Sequence, residues 1–310
     1  MQKQNCQVLI DRSSSGRIRP WSVYKLANTY LSYAYSEIDD KKAERLRNCA
    51  NTLTYRKEGE RMRLVHADFC RVRLCPVCQW RRSLKNYGQM QKILAAIEGQ
   101  YKYIFLTLTV KNCSGSELSA TIDKMMQAWN RFTGYKQVEE VVKGWYRGLE
   151  VTHNVTTDEY HPHFHVLLAV NNSYFTSRKY IKQEEFTELW KRALKAKYTP
   201  VCDVRKVKGS DAKAIAEVAK YAVKPGDIIN YEDWDLTVET VKVLDEALAA
   251  RRLVAFGGIL KEWHKKLNLD DEETGDLLDI GHDDSIETED DAEEITFVWH
   301  TGYNQYIGER

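Results

Sequence analysis

Apolar positions recur along the chain with two distinct periods. Ser22–Tyr35 and Glu37–Arg47 carry helical spacing. Cys49–Lys85 lacks that spacing and is rich in Cys and Arg, and Arg82–Ile97 reads as helix again. Tyr103–Val110 (YIFLTLTV) is almost continuously apolar, β-branched and aromatic, which predicts a buried strand. Glu117–Phe132 is an amphipathic helix. Trp145–Asn154 and His161–Val170 read as strands, and the turn-rich NVTTDEY between them predicts an antiparallel hairpin. Gln183–Lys195 is helical, Val201–Val207 a strand, and Asp211–Val223 a helix stopped by Pro225-Gly226.

The central order is therefore β-α-β-β-α-β followed by one more helix. The expected fold is α+β: a central antiparallel sheet of ferredoxin-like order with helices on one face. Thr237–Leu267 reads as two further helices, and Ile295–Ile307 (ITFVWHTGYNQYI) returns to strand-like composition, an apolar end expected to dock back onto the body. The expected organisation is an N-terminal helical and metal-binding region (1–100), a core (101–228), C-terminal helices (229–269), an acidic linker (270–294) and a docking segment (295–310).

Composition adds a charge asymmetry. The 310 residues are 43% hydrophobic, enough for a sizeable core, and 46 basic residues nearly balance 45 acidic ones. Asp270–Glu294, however, holds 14 acidic residues and no Lys or Arg, so the remaining chain has a net charge of +15. A basic body predicts an anionic partner, with nucleic acid first. The acidic strip is either a solvating linker or a DNA mimic that shields the body. No apolar run approaches a membrane span, and Met1–Arg12 lacks the apolar stretch of a signal peptide, so cytoplasm is the expected compartment.

Three stretches carry chemistry. His161-Pro-His-Phe-His165 begins a strand, so its three imidazoles share one face. They are either a solvent-facing edge or a chelating row. In the hairpin, the partner strand offers Glu150 as an oxygen ligand beside His163 and His165, a set suited to Mn²⁺ or Mg²⁺. On the helix Asp211–Val223 the spacing places Glu217, Tyr221 and, one turn on, Lys224 on one face. That face is a surface stripe or a nucleophile with acid–base neighbours. At pH 7 only about one tyrosine in a thousand is ionised, a deficit of roughly 4 kcal/mol that a metal or Lys224 could partly offset.

Cys70-x4-Cys75-x2-Cys78, with Cys49 upstream, supplies four thiolates for a tetrahedral structural Zn²⁺; His66 is a substitute for Cys49, and free thiols are the alternative. Arg71, Arg73, Arg81 and Arg82 around it are expected to form a basic patch.

Together, the FLTLTV strand (Phe105–Val110), HPHFHVLL (His161–Leu168), EVAKYAVK (Glu217–Lys224) and FCRVRLCPVCQWRRS resemble the rolling-circle replication initiators of small bacterial plasmids, within the HUH endonuclease superfamily. The resemblance implies the HUH endonuclease fold and strand-specific nicking at a plasmid double-strand origin, single-stranded or hairpin at the nick. It implies that His163 and His165 are the His-hydrophobic-His pair, Glu150 the third ligand and Tyr221 the nucleophile, with a 5′-phosphotyrosine intermediate and a 3′-hydroxyl primer. Glu217 is similar to the acid that replaces a second tyrosine and ends the cycle by assisting hydrolysis. The role of His161 stays open. Host helicase and polymerase are implied partners, and a homodimer is allowed. Two alternatives stand: a relaxase- or transposase-type relative with the same chemistry, and a non-enzymatic zinc-stabilised DNA-binding protein.

Overall fold

The computed structural model describes residues 7–13, 15–58, 61–207, 215, 219, 222–271, 273–281 and 293–308. Along the chain the elements are β1 (Gln7–Val8), α1 (Trp21–Ser36), α2 (Asp40–Asn48), β2 (Thr52–Glu58), β3 (Arg61–Ala67), α3 (Pro76–Ala96), β4 (Tyr101–Thr109), α4 (Gly115–Thr133), α5 (Lys136–Val141), β5 (Val142–Asn154), β6 (Glu159–Asn171), α6 (Gln183–Leu194), β7 (Cys202–Val207), α7 (Trp234–Leu248), β8 (Val254–Gly257), α8 (Gly258–Lys266), β9 (Glu293–His300) and β10 (Gln305–Gly308). The fold is mixed α+β with two five-stranded antiparallel sheets. No helix among the described residues is long and apolar enough to cross a membrane.

The chain divides into two units, one of residues 1–85, 229–242 and 276–310, the other of residues 86–228 and 243–275. In the first, the strand order is β1-β10-β9-β2-β3. The C-terminal strands pair here because their apolar positions complete the same inner face: Leu53 lies opposite Phe297, and both are fully buried. Basic β2 also meets acidic β9, with Arg56 Nε 3.1 Å from Glu294 Oε1. Beneath the sheet, buried Asp11 accepts bonds from Arg19, Trp21 Nε1 and Tyr55 OH at 3.0, 2.8 and 3.0 Å.

In the second unit the order is β7-β4-β6-β5-β8. Period-two alternation on β5 and β6 sorts side chains to two faces. One face packs on α4 and α6: Phe164 lies 6.1 Å from the Trp129 ring and 6.2 Å from Trp190. Each such large buried side chain contributes roughly 1.5–3 kcal/mol. A capping box between Ser114 and Glu117 starts α4 where that packing begins. The opposite face joins Phe105, Tyr146, Leu167 and Ala169 to Met90, Ile93 and Leu94 of α3 and Leu260 of α8. Helices therefore cover both faces, not one as expected, because α3 and α8 carry apolar stripes of their own.

Three further expectations change. The hairpin β2–β3 occupies part of the stretch with no helical period, and α3 begins at Pro76 rather than Arg82, with proline suited to a first turn. Thr237–Leu267 contains β8 between α7 and α8. Gly258 makes that strand-to-helix corner: its φ is +54°, and a Cβ would lie 2.2 Å from Lys143 O. The acidic strip is held at its start, since Leu277 and Ile280 are buried and Asp271 accepts from the N–H groups of Glu273 and Thr274 at 2.9 Å.

Candidate metal centres

Register builds the first centre. Glu150, His163 and Thr109 are Cα partners across β5, β6 and β4, with His165 two positions further along β6. His163 Nε2 and His165 Nε2 lie 3.2 Å apart, and Glu150 Oε2 is 3.4 and 2.9 Å from them. Ligands at right angles around an ion at about 2.1 Å are about 3 Å apart, so these three atoms fit one face of an open coordination sphere. All three residues are buried at the end of the face where the α3–α8 core gives way. Outer contacts orient the imidazoles: His163 Nδ1 lies 3.1 Å from the His161 carbonyl and His165 Nδ1 lies 3.4 Å from Thr107 Oγ1, leaving both Nε2 atoms for the ion.

Lys224 Nζ lies 3.1 Å from Glu150 Oε1. Burial alone would raise the Glu150 carboxyl, but bonds from His163, His165 and Lys224 outweigh it and hold the group well below the usual carboxylate range. His161 is outside the cluster: its Nδ1 meets Asn112 Oδ1 at 2.9 Å, and its contribution to the site is its carbonyl. Tyr221 and Glu217 lie outside the described residues. Their neighbour Ala222 is placed, with its carbonyl accepting from Val151 N, next to Glu150, at 2.7 Å.

Sequence reasoning missed Asp227. Its carboxyl is pushed up by burial, with the charges of Lys224, Glu150 and His153 acting on it. The signal available was only a carboxylate three residues after Lys224.

The second centre gathers Cys49, Cys70, Cys75 and Cys78, all mutually within 4.8 Å. Sulfur separations are 3.6 Å for Cys49–Cys78, 3.8 Å for Cys70–Cys78 and 3.6 Å for Cys49–Cys75. A tetrahedron with Zn–S of about 2.3 Å has edges of about 3.8 Å, so the set fits structural zinc. Backbone N–H groups aim at the sulfurs: Cys70 to Cys49, Arg71 to Cys78, Val72 to Cys70 and Cys78 to Cys75, at 3.4, 3.3, 3.4 and 3.5 Å. Bonds from Cys49, Cys70 and Cys75, with the Arg71 N–H, hold the Cys78 thiol well below its ordinary value. Buried Lys25 of α1 sits beside the group; burial lowers its pKa, while the four cysteines raise it.

His66 is exposed and outside this cluster. The expected basic patch also changes. Arg81 and Arg82 are buried, and Arg81 donates to the carbonyls of Leu277 and Leu278 at 2.9 and 2.6 Å. Starting α3 at Pro76 turns these two arginines inward, leaving Arg71 exposed and Arg73 partly so.

A family model of replication proteins matches residues 61–307. The "Protein rep" of Bacillus amyloliquefaciens is 42% identical over 97% of this chain and 97% of its own. That of Lactiplantibacillus plantarum is 37% identical over 97% of this chain and 99% of its own. A Bacillus sp "Protein rep" is 45% identical over 77% of this chain and 85% of its own. No solved structure matches the chain. With similarity running nearly end to end, the chain belongs to the replication-protein (Rep) family, the plasmid replication initiators to which its motifs pointed.

Proposed function

We propose that this protein initiates rolling-circle replication in the cytoplasm by nicking one strand of a plasmid origin and transferring it to Tyr221. The observation that carries the reading is the convergence of Glu150, His163 and His165 on one ion-sized space. The strand order β7-β4-β6-β5, with α4 and α6 as crossovers, supports the ferredoxin-like, HUH-type reading of the core.

Glu150, His163 and His165 would hold Mn²⁺ or Mg²⁺, and such an ion supplies charge stabilisation to phosphate oxygens. The Tyr221 oxygen attacks phosphorus. The Tyr–O–P bond forms, the P–O3′ bond breaks, and the phenolic proton ends on the leaving 3′ oxygen. A 5′-phosphotyrosyl strand and a 3′-hydroxyl primer result, the latter for host polymerase with host helicase opening the duplex. Glu217 then assists water in releasing the strand. The Ala222–Val151 hydrogen bond supports placing Tyr221 at this centre, because it ties the adjacent residue to the Glu150 strand. Cys49, Cys70, Cys75 and Cys78 would hold structural Zn²⁺.

Incubation with Mn²⁺ and a single-stranded origin oligonucleotide should yield a covalent adduct, with mass spectrometry placing the DNA on Tyr221. An adduct formed at the wild-type rate by Tyr221→Phe would remove the nucleophile. The four-cysteine geometry favours one second reading, a non-enzymatic zinc-stabilised DNA binder, in which binding persists and cleavage is absent with any divalent ion.

A further inference from the structure

We propose that Lys25 is the charge partner of the four-cysteine site, a buried ammonium that favours the metal-loaded cluster. The inference rests on the reading that these cysteines hold a cation. Lys25 is 1% exposed. Its Nζ donates to Cys49 O at 2.6 Å and to Arg47 O at 2.9 Å. Among the described residues no carboxylate pairs with it. Burying an ammonium without an opposite charge is strongly unfavourable. Four thiolates around one divalent ion carry a net charge of about −2. Cys49, whose carbonyl takes the Lys25 bond, has its Sγ 3.6 Å from those of Cys75 and Cys78, so the ammonium adjoins the cluster. The lysine therefore compensates an anionic cluster while anchoring the carbonyl of one ligand residue.

A structural role is the competing explanation, because Lys25 also meets the C-terminal carbonyls of α2, where any cation is favoured. Asn28 separates the two. One turn along α1, it donates Nδ2 to Leu46 O at 2.6 Å, holding the same helix end without charge.

Zinc affinity of the full chain is measured by competition with a chelating dye, and thermal stability with and without zinc. Lys25→Met should weaken zinc by roughly 10–100-fold, the usual effect of an outer contact. Lys25→Arg should stay close to wild type. Asn28→Ala should lower stability equally with and without zinc and leave the affinity unchanged. If Lys25→Met does not fold, Lys25→Gln, which keeps donors but not charge, should show the same weakening. Unchanged zinc affinity in the neutral variant, or equal loss in Lys25→Arg, overturns the proposal while the cysteine site stands. A wild-type chain that binds zinc no better than Cys70→Ser overturns the site itself and the inference with it.

Discussion

Glu150 and His163 stand directly opposite each other on the β5–β6 ladder, and the carboxylate that meets His163 at 3.4 Å meets His165 at 2.9 Å. One oxygen thus ties together two imidazoles that strand periodicity places on the same face. Glu150→Gln preserves shape and removes charge. Mn²⁺ affinity, followed by electron paramagnetic resonance, should fall by more than the roughly 10–100-fold of an outer-contact change. Because the folded carboxyl lies below its ordinary value, its stabilising contribution is complete above about pH 5 and is lost as pH falls. The variant should show a flatter acid limb in stability against pH.

Lys224 pairs with the other oxygen of that carboxylate at 3.1 Å, with its side chain 45% exposed. The ammonium is half in solvent and the buried carboxylate keeps its two histidine partners, so the pair contributes only about 0–1 kcal/mol. Lys224→Met should therefore leave urea unfolding nearly unchanged. Mn²⁺ affinity should not fall, since a competing positive charge has gone, while nicking slows. Loss of Mn²⁺ binding in this variant would make Lys224 a support for Glu150 rather than a participant in the reaction.

The hairpin centre was legible because its information is local. HPHFH alternates, the intervening turn sets the register, and that register alone brings Glu150 to His163. The β2–β3 hairpin of the first unit was not legible. The β2 sequence TLTYRKE is mostly polar, and its strand identity comes from partners such as Phe297, far along the chain. The four residues of β8 are too few to show a period and become a strand by pairing with β5. Charge misled at the expected basic patch. Arg81 and Arg82 read as surface cations, yet both are buried, and Arg81 takes main-chain carbonyls as acceptors, a role that residue type does not announce.

Arg81 gives a stability prediction. Its guanidinium holds Leu277 and Leu278 carbonyls and lies 5.4 Å from the Trp21 ring. A hydrogen bond from a charged donor contributes about 1.5–3 kcal/mol. Arg81→Ala should therefore destabilise by at least about 2 kcal/mol. It should also open a protease site near Leu277. A cleavage rate equal to wild type would mean that other contacts hold this segment.

Removing metal from the cysteine centre should lower the melting temperature, and Cys75→Ser should do the same without chelator. Cys75 is fully buried and meets Cys49 at 3.6 Å. Thiolates must be deprotonated to bind, so acidification should release zinc before the second unit unfolds. The expected readout is dye-detected zinc appearing at a higher pH than the loss of Trp129–Phe164 packing seen by near-ultraviolet circular dichroism. Coincident transitions would tie the metal to the stability of the whole chain.

The acidic strip can be tested by a deletion narrower than its sequence suggests. Asp271 spends its carboxylate on local N–H groups and on Arg252 at 2.9 Å, and Asp276 caps Leu278 and Asp279 at 3.1 Å. Glu293 and Glu294 pair in register with Lys57 and Arg56. These acids are committed to structure, so the deletion is confined to residues 283–291, which hold six acidic side chains. If they shield the basic body, deleting them should raise non-specific DNA affinity and steepen its dependence on log salt, because more phosphates then displace counterions. The measurement is fluorescence anisotropy with a non-origin duplex across a salt series. An unchanged slope would assign 283–291 to a solvating connection between α8 and β9.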